Sequence, residues 1–248
     1  MKFPYWTLQR RSVMEKWKRY EPAYRALEIV RATQQENWVP LVANLDDSKS
    51  QIQQDLFALA MNDCKHGGYF VEFGAADGVG LSNTWLLEKT FSWTGIVAEP
   101  ARVWHAALRK NRNCHIDTRC VWGADSVTLG GGAIRFTEHA CPELSGISAL
   151  TPRRRGRSIE YTVETITLND LLESHAAPSY IDYMSIDTEG SEFAILNAFD
   201  FDRWRFGALT VEHNFLPQRE AIHTLLVSHG YTRVLAHISK QDDWYVPA

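Results

Sequence analysis

The sequence of 248 residues contains no run of about 20 apolar residues, the length that a membrane-spanning helix requires. No apolar stretch follows its charged N-terminal residues, as one would in a secretory signal. Cysteine is scarce: the four residues Cys64, Cys114, Cys120 and Cys141 form no CxxC pair and no cysteine–histidine spacing typical of zinc sites. These absences predict a cytoplasmic protein with reduced thiols and no transmembrane segment.

Positive charge is also limited. The chain has 26 Lys and Arg against 30 Asp and Glu, which gives a formal net charge of -4. Because nucleic-acid-binding domains are usually basic, we expect no nucleic-acid partner. The hydrophobic share of 45% and the charged share of 23% are ordinary for a globular protein, and the length suits one domain with an appendage.

The first 66 residues show no strand alternation and predict helices and loops. Residues 15–31 carry apolar side chains at a spacing of three to four between charged ones, which indicates an amphipathic helix. Its first part is basic, which fits either a solvated helix face or a patch for an anionic carrier, a lipid surface or a partner. We treat residues 1–66 as an N-terminal helical extension.

From Tyr69 onward, short apolar runs alternate with helical segments, which predicts an α/β domain over residues 67–248. Strand, helix, strand, helix, strand is the pattern of a Rossmann-like parallel sheet with right-handed crossovers. The last two strand candidates, residues 231–238 and 243–246, are expected to form an antiparallel pair. A third strand is expected over residues 114–121, before the alternation breaks.

The interruption predicts an inserted β-hairpin and a long loop. Residues 126–129 and 133–137 flank three glycines, which favours a hairpin. Residues 142–157 form a segment too long for an ordinary connector, so we expect a lid over the acceptor site. Its arginines at 153–155 and 157 either bind an anionic acceptor or belong to a mobile, solvated loop.

The turn after the first predicted strand is the most informative segment. Between Glu72 and Gly80 it has the glycines of a nucleotide-binding turn but not the G-x-G-x-x-G spacing expected for a dinucleotide. Glu72 and Asp77 would repel a pyrophosphate, whereas they favour the ammonium and sulfonium of S-adenosylmethionine (SAM). Glu99 ends the second strand, where a carboxylate accepts hydrogen bonds from both ribose hydroxyls.

At this point the sequence resembles the FkbM family of SAM-dependent methyltransferases, from about residue 50 to the C-terminus. The segments that carry the resemblance are Ser50–Asp55, Val71–Lys89, Trp93–Pro100, Ser185–Glu192 and Val211–Asn214. The resemblance implies a class I methyltransferase fold, SAM as the cofactor, and O-methylation of a sugar, glycan or related natural product. It also implies a cofactor site. The residues expected around the methionine part of SAM are Glu72, Gly74, Asp77, Gly78, Ser82, Asn83 and Thr84. Glu99 is expected at the ribose, and Trp122 either packs on the adenine or belongs to the core.

Methyl transfer requires an aligned acceptor oxygen, a group that removes its proton, and a site that excludes water. Asp187 and Glu189 end the fourth parallel strand, and Glu212, His213 and Asn214 end the fifth. This arrangement is similar to that of metal-dependent O-methyltransferases, so Asp187, Glu212 and His213 are expected to bind Mg²⁺ or Mn²⁺. The catalytic residues would be Asp187, Glu189 and His213, with Glu189 or His213 as the base. Two alternatives stay open: a metal-free His213 base, and purely structural carboxylates at a helix N-terminus.

Three other functions fit the sequence less well. A nicotinamide-dependent dehydrogenase would need the phosphate-tolerant turn that Asp77 opposes. A non-catalytic SAM- or nucleotide-binding scaffold would show degenerate strand ends, but these carboxylates are chemically competent. A base methyltransferase would need an Asn-Pro-Pro-Tyr-type motif, which is missing. We therefore predict an O-methyltransferase with a small-molecule or glycan acceptor, and leave a homo-oligomer open.

Overall fold

A computed structural model describes residues 19–123, 132–141, 145–150 and 157–248. The strands in these residues are β1 (Tyr69–Phe73), β2 (Thr94–Ala98), β3 (His115–Asp117), β4 (Cys120–Val121), β5 (Ala133–His139), β6 (Gly146–Ile147), β7 (Ser158–Ile166), β8 (Tyr180–Ile186), β9 (Arg205–Glu212), β10 (Tyr231–Val234) and β11 (Asp242–Pro247). The helices are α1 (residues 19–31), α2 (Trp38–Ala43), α3 (Gln54–Met61), α4 (Trp85–Phe91), α5 (His105–Asn111), α6 (Leu168–Ser174), α7 (Glu192–Asn197) and α8 (Gln218–Ser228). Short 3-10 helices span Gln35–Asn37, Leu45–Asp47 and Arg102–Trp104.

The main sheet has seven strands in the order β10-β11-β9-β8-β1-β2-β3. Its strands β1, β2, β3, β8 and β9 are parallel, and β11 runs antiparallel to both β9 and β10. The predicted Rossmann-like sheet with an antiparallel final pair is therefore confirmed. The strand order reverses between the adjacent strands β1 and β8. The carboxyl ends of the strands at such a reversal form the crevice where α/β folds bind ligands.

A second sheet of four strands, in the order β4-β7-β5-β6, is inserted between β3 and α6. The prediction of one strand over residues 114–121 was wrong, because the chain turns after Asp117. The carboxylate of Asp117 accepts hydrogen bonds from the backbone and guanidinium of Arg119, and β4 leaves the main sheet to pair with β7. Strand β5 pairs with β7 and β6; the other predicted hairpin arm, residues 126–129, lies outside the described residues.

Helices cover both faces of the main sheet. Helices α6, α7 and α8 bury leucines such as Leu171, Leu196 and Leu226 on one face. On the other face α3, α4 and α5 pack on the sheet, and the ring of Phe57 in α3 stacks on Trp244 with centroids 4.7 Å apart. Such a pair contributes about 0.5–1.5 kcal/mol beyond its buried area. Helix α3 of the N-terminal extension is thus part of the core of the sheet domain.

Among the helices that the structure describes, none combines the length and the hydropathy needed to cross a membrane.

Candidate active site

A cavity with a volume of about 220 Å³ lies at the carboxyl ends of β1, β2, β8 and β9. Five carboxyl side chains line it, and the described lining contains no Lys, Arg or His. These five are Glu72, Glu99, Asp187, Glu189 and Glu212. A low-dielectric cavity lined by one sign of charge concentrates ligands of the opposite sign. The cavity therefore favours a cationic ligand and disfavours a phosphate or carboxylate.

The turn after β1 is shaped by close packing against β8. Gly74 lines the cavity with a φ of +77°, and a Cβ on it would lie 2.2 Å from the carbonyl oxygen of Asp187, so no larger residue fits there. The Oδ1 atom of Asp77 accepts hydrogen bonds from the backbone of Val79 and Gly80, each at 2.8 Å. The structure therefore uses Asp77 to hold the turn, and its side chain is not part of the cavity lining.

Glu72 is bound by the chain itself. Its buried carboxylate accepts hydrogen bonds from the backbone of Asn83 at 2.6 Å, from Ser82 Oγ at 3.1 Å and from Thr84 Oγ1. The buried guanidinium of Arg112 lies 3.4 Å from the same carboxylate. Ser82 and Thr84 thus bind Glu72 and lie outside the cavity lining, whereas Glu72 itself lines the cavity. The predicted contact of these residues with the cofactor stays a prediction.

Arg112 also binds Glu88, with Nε 2.6 Å from the carboxylate. Burial alone would raise the pKa of Glu88, but the charge of Arg112 and its hydrogen bonds lower that pKa to about 2. We call Glu72, Ser82, Thr84, Glu88 and Arg112 the Arg112 cluster. Sequence analysis missed Arg112, because no local pattern marks this arginine as buried.

Two residues next to the Arg112 cluster, Gly78 and Asn83, differ in whether they line the cavity. Gly78, with a φ of +80°, packs against Arg112, whose Cγ would be 2.6 Å from an added Cβ; it does not line the cavity. Asn83 does line it: Nδ2 donates to Ser185 Oγ at 2.8 Å, while the buried Oδ1 has no hydrogen-bond partner among the described residues. A buried acceptor without a partner costs about 1–3 kcal/mol, so this oxygen is suited to a ligand donor.

Glu99 lies at the end of β2 with its carboxylate in the cavity wall. Its two oxygens accept hydrogen bonds from the backbone of Ala76 at 2.8 Å and of Ala101 at 2.7 Å. Burial nevertheless raises its pKa to about 7. Each carboxylate oxygen keeps a lone pair for another donor, which is the arrangement that a ribose diol requires.

An apolar wall adjoins Glu99, but it is not formed by Trp122. Trp104, Phe136 and Ile147 line this part of the cavity, whereas Trp122 packs on the buried cluster of the second sheet outside the lining. The position of Trp122 follows from the pairing of β4 with β7. The residue that lines the cavity, Trp104, ends a short 3-10 helix, and the sequence analysis assigned it no role in the site.

Asp187 directly follows β8 and Glu212 ends the neighbouring strand β9. Ile186 pairs with Val211, so the two carboxyl residues that come next lie side by side in the cavity lining. Burial is the main reason that both pKa values lie well above the ordinary range, and no cation lines the described wall to offset it. Two adjacent carboxyls that cannot both ionise share one proton near neutral pH. We call Asp187 and Glu212 the strand-end pair.

His213 is not brought together with this pair. Successive side chains of a strand point to opposite faces, so His213 turns away from the face of Glu212. Its Nδ1 accepts the backbone N–H of Phe215 at 2.9 Å, and its Nε2 lies 3.7 Å from Asp243 Oδ1. The predicted ligand set of Asp187, Glu212 and His213 is therefore not assembled, and the described residues contain no group of three His, Cys, Asp or Glu arranged to hold a metal.

The third predicted catalytic residue, Glu189, lies in the cavity lining. Its backbone φ of 56° is left-handed, a conformation that costs a non-glycine residue about 1–3 kcal/mol. The buried Glu192 stabilises this turn by accepting the backbone N–H groups of Thr188 at 3.1 Å and Gly190 at 3.0 Å. The structure therefore separates a structural carboxylate, Glu192, from one that faces the ligand space.

Three features together define a class I SAM-dependent methyltransferase. The parallel strands lie in the order β3-β2-β1-β8-β9 and are followed by the antiparallel β11. The glycine turn has no phosphate ligands, and the cavity is acidic, with a carboxylate after the second strand. The model of the methyltransferase FkbM domain matches residues 72–236, which is more than half of the chain. The protein belongs to the FkbM methyltransferase family.

Comparison with solved structures finds weaker likenesses. Precorrin-6y C5,15-methyltransferase from Geobacter metallireducens GS-15 has 11% identity and a TM-score of 0.41, covering 72% of this chain and 71% of that chain. Ribosomal protein L11 methylase from Lactobacillus delbrueckii subsp. bulgaricus has 8% identity and a TM-score of 0.39, covering 79% of this chain and 78% of that chain. Among curated proteins, no match is found.

Proposed function

We propose that this enzyme transfers the methyl group of SAM to a hydroxyl of a neutral sugar, glycan or related natural product. The observation that carries the proposal is the strand-end pair: two neighbouring carboxyls at the ends of adjacent parallel strands, both in the wall of the cavity. Burial raises the pKa of each. A general base with a pKa raised toward neutrality removes a proton more effectively than an ordinary carboxylate.

The residues present fit SAM. Glu99 would hold the ribose hydroxyls, and the partnerless Oδ1 of Asn83 would accept a hydrogen bond from the ammonium group. Trp104 and Phe136 would contact the adenine. Bound SAM supplies a methyl group on a positively charged sulfur. The five carboxyls of the lining favour that charge, and Gly74 lets the backbone approach the ligand closely.

The strand-end pair would act on the acceptor. The acceptor oxygen forms a bond to the methyl carbon as the bond from that carbon to sulfur breaks, and the hydroxyl proton passes to the carboxylate of the pair. S-adenosylhomocysteine (SAH) is the other product. Asp187, Glu189 and Glu212 all line the cavity, and Asp187 or Glu212 would take up the proton. Because the predicted three-residue metal site is not assembled, we assign no step to a metal.

The charge of the lining also bears on the acceptor. An anionic acceptor, one of the two interpretations of the arginines at 153–155 and 157, would face five carboxyls. The arginines at 153–155 lie outside the described residues. A neutral acceptor meets no such repulsion. The cytoplasmic location predicted from the sequence stays a prediction.

The test is methyl transfer to matched acceptors. Methyl glycosides of neutral hexoses would be incubated with enzyme and SAM beside the corresponding uronic acids and amino sugars, and products would be identified by mass spectrometry and by the O-methyl signal in NMR. We expect O-methylation of neutral sugars only, with activity retained after EDTA treatment. Methylation of the amino sugars alone would replace the proposal with N-methylation, and activity lost to EDTA and restored by Mg²⁺ or Mn²⁺ would assign proton removal to a metal.

A further inference from the structure

The N-terminal extension supplies two side chains to the cavity, Gln51 and Gln54. Both precede the matched FkbM segment, which begins at residue 72. Gln54 is buried at the first turn of α3, and Gln51 is exposed at the cavity mouth. Gln54 donates to Asp242, which pairs with Glu212 across β11 and β9. Gln51 hydrogen-bonds to Gln241, whose carbonyl accepts the backbone N–H of His213, the residue after Glu212. The two glutamines therefore lie where an acceptor would reach the strand-end pair.

The backbone that carries these glutamines is held in place by a buried carboxylate. Asp55 accepts hydrogen bonds from Ser48 Oγ at 2.6 Å and from the backbone of Lys49 at 3.1 Å, and Ser50 Oγ accepts the backbone N–H of Asp55 at 3.0 Å. A β-bridge joins Ser50 to Leu81, which follows the cofactor turn. A binding side chain needs such fixed support if it is to position a ligand accurately.

The hydrogen-bonding capacity of the two amides is only partly used. Gln54 Oε1 accepts the backbone N–H of Ile52 at 2.9 Å, and its Nε2 donates to Asp242 Oδ2 at 2.9 Å. Gln51 Oε1 accepts from Gln241 Nε2. Because an amide nitrogen has two N–H donors, Gln54 keeps one donor and Gln51 keeps two.

These donors belong to a cavity lining that also contains five carboxyl groups. Ionised carboxylates accept hydrogen bonds only, whereas amide nitrogens donate only. A ligand between the two must accept from one side and donate to the other. A hydroxyl does both, and a polyol with adjacent hydroxyls can use one on the amides while it presents the next to the strand-end pair.

We infer that Gln51 and Gln54 are acceptor-binding residues, whose amide N–H groups bind a hydroxyl next to the one that is methylated. The inference rests on the proposed function, and it narrows the acceptor class to neutral molecules with neighbouring hydroxyls. It also gives the N-terminal extension a role in substrate selection.

The test replaces an amide donor with a carboxylate. Gln51→Glu keeps the size of an exposed side chain, so the variant is expected to fold. Gln35→Glu is the matched control, because Gln35 is an exposed glutamine of the same extension that does not line the cavity. Both variants and the unmodified enzyme would be assayed with the best neutral methyl glycoside from the acceptor panel and titrated with SAH.

We expect Gln51→Glu to raise KM for the glycoside about tenfold, the effect of losing about one hydrogen bond, with SAH affinity and the control unchanged. A second variant, Gln54→Ala, should also raise KM. Equal KM values for Gln51→Glu, Gln54→Ala and the unmodified enzyme would overturn the inference alone if SAH binding and O-methylation persist. Failure of every neutral glycoside to bind or react would overturn the proposed function and this inference together.

Discussion

Two groups of carboxylates, in and beside the cavity, have opposite electrostatic surroundings. In the Arg112 cluster, Glu72 and Glu88 lie against a buried guanidinium, and the pKa of Glu88 falls to about 2. In the strand-end pair, Asp187 and Glu212 meet each other with no lining cation beside them, and both pKa values rise. Residues of the same chemical type thus differ in the direction of their pKa shift because only one set has a cation beside it.

The difference follows from what each element contributes. Arg112 directly follows α5, and its side chain extends back over the turn after β1, where hydroxyls and backbone N–H groups complete the neutralisation. A buried ion of this kind stabilises a fold only when its whole surroundings are satisfied. The strand-end pair has no such surroundings, so it keeps a proton that can be exchanged with a ligand.

The largest expected effect comes from removing the proton acceptor of the pair. In Asp187→Asn the amide keeps the size of the side chain but cannot take up a proton, so kcat should fall about 10²–10⁴-fold. SAH affinity should change less than about twofold. Asp202→Asn, at an exposed aspartate, is the control for the chemistry of the replacement. Steady-state kinetics with the neutral methyl glycoside as acceptor measure the effect. A near-normal kcat in Asp187→Asn would mean that the pair is structural, like the Arg112 cluster.

Strand-end reasoning from the sequence located much of this site. Glu99, Asp187 and Glu212 lie at the carboxyl ends of three parallel strands, where the alternation of strands and helices predicts them, although their roles remain predictions. The antiparallel pair predicted over residues 231–238 and 243–246 corresponds to β10 (Tyr231–Val234) and β11 (Asp242–Pro247). These features depend on local patterns of apolar residues and capping signals, which a single sequence contains.

What the sequence did not reveal depends on long-range packing. Whether Glu212 or His213 faces the cavity is decided by which face the last residue of β9 presents, and a shift of one residue exchanges them. Trp104 replaces Trp122 in the lining because β4 joins the second sheet. The burial of Arg112 depends on groups 24 to 40 residues away in the chain.

The next effect concerns stability. Arg112→Met removes the buried cation and leaves Glu72 and Glu88 without their charge partner, which should lower the free energy of unfolding by about 3–5 kcal/mol. Arg109→Met is the matched control, because Arg109 is an exposed arginine of α5. Urea denaturation followed by circular dichroism measures both. If the two variants lose equal stability, the Arg112 cluster contributes no more than an ordinary surface arginine and the contrast between the clusters fails.

The smallest expected effect tests whether Asp242, a neighbour of the strand-end pair, also has a raised pKa. Asp242 lies opposite Glu212 on β11 and accepts a hydrogen bond from Gln54. Burial, and then the charge of Asp187, raises the pKa of Asp242 to about 7. A carboxyl whose pKa is raised by folding contributes stability below its ordinary pKa, near 3.8, and loses that contribution as pH rises through about 7.

The unmodified protein should therefore lose stability between about pH 4 and pH 7, and Asp242→Asn should lose less, because an amide accepts the same hydrogen bond without ionising. Glu99, whose pKa is also about 7, titrates in the same window, so the informative quantity is the difference between the two proteins. A difference of about 1 kcal/mol at pH 8 would shift Tm by about 2–4 °C in favour of the variant. Parallel profiles of Tm against pH would show that Asp242 ionises in the fold as easily as in the unfolded chain. The acidic, proton-holding region would then be limited to the strand-end pair and would not extend to the strand that Gln54 contacts.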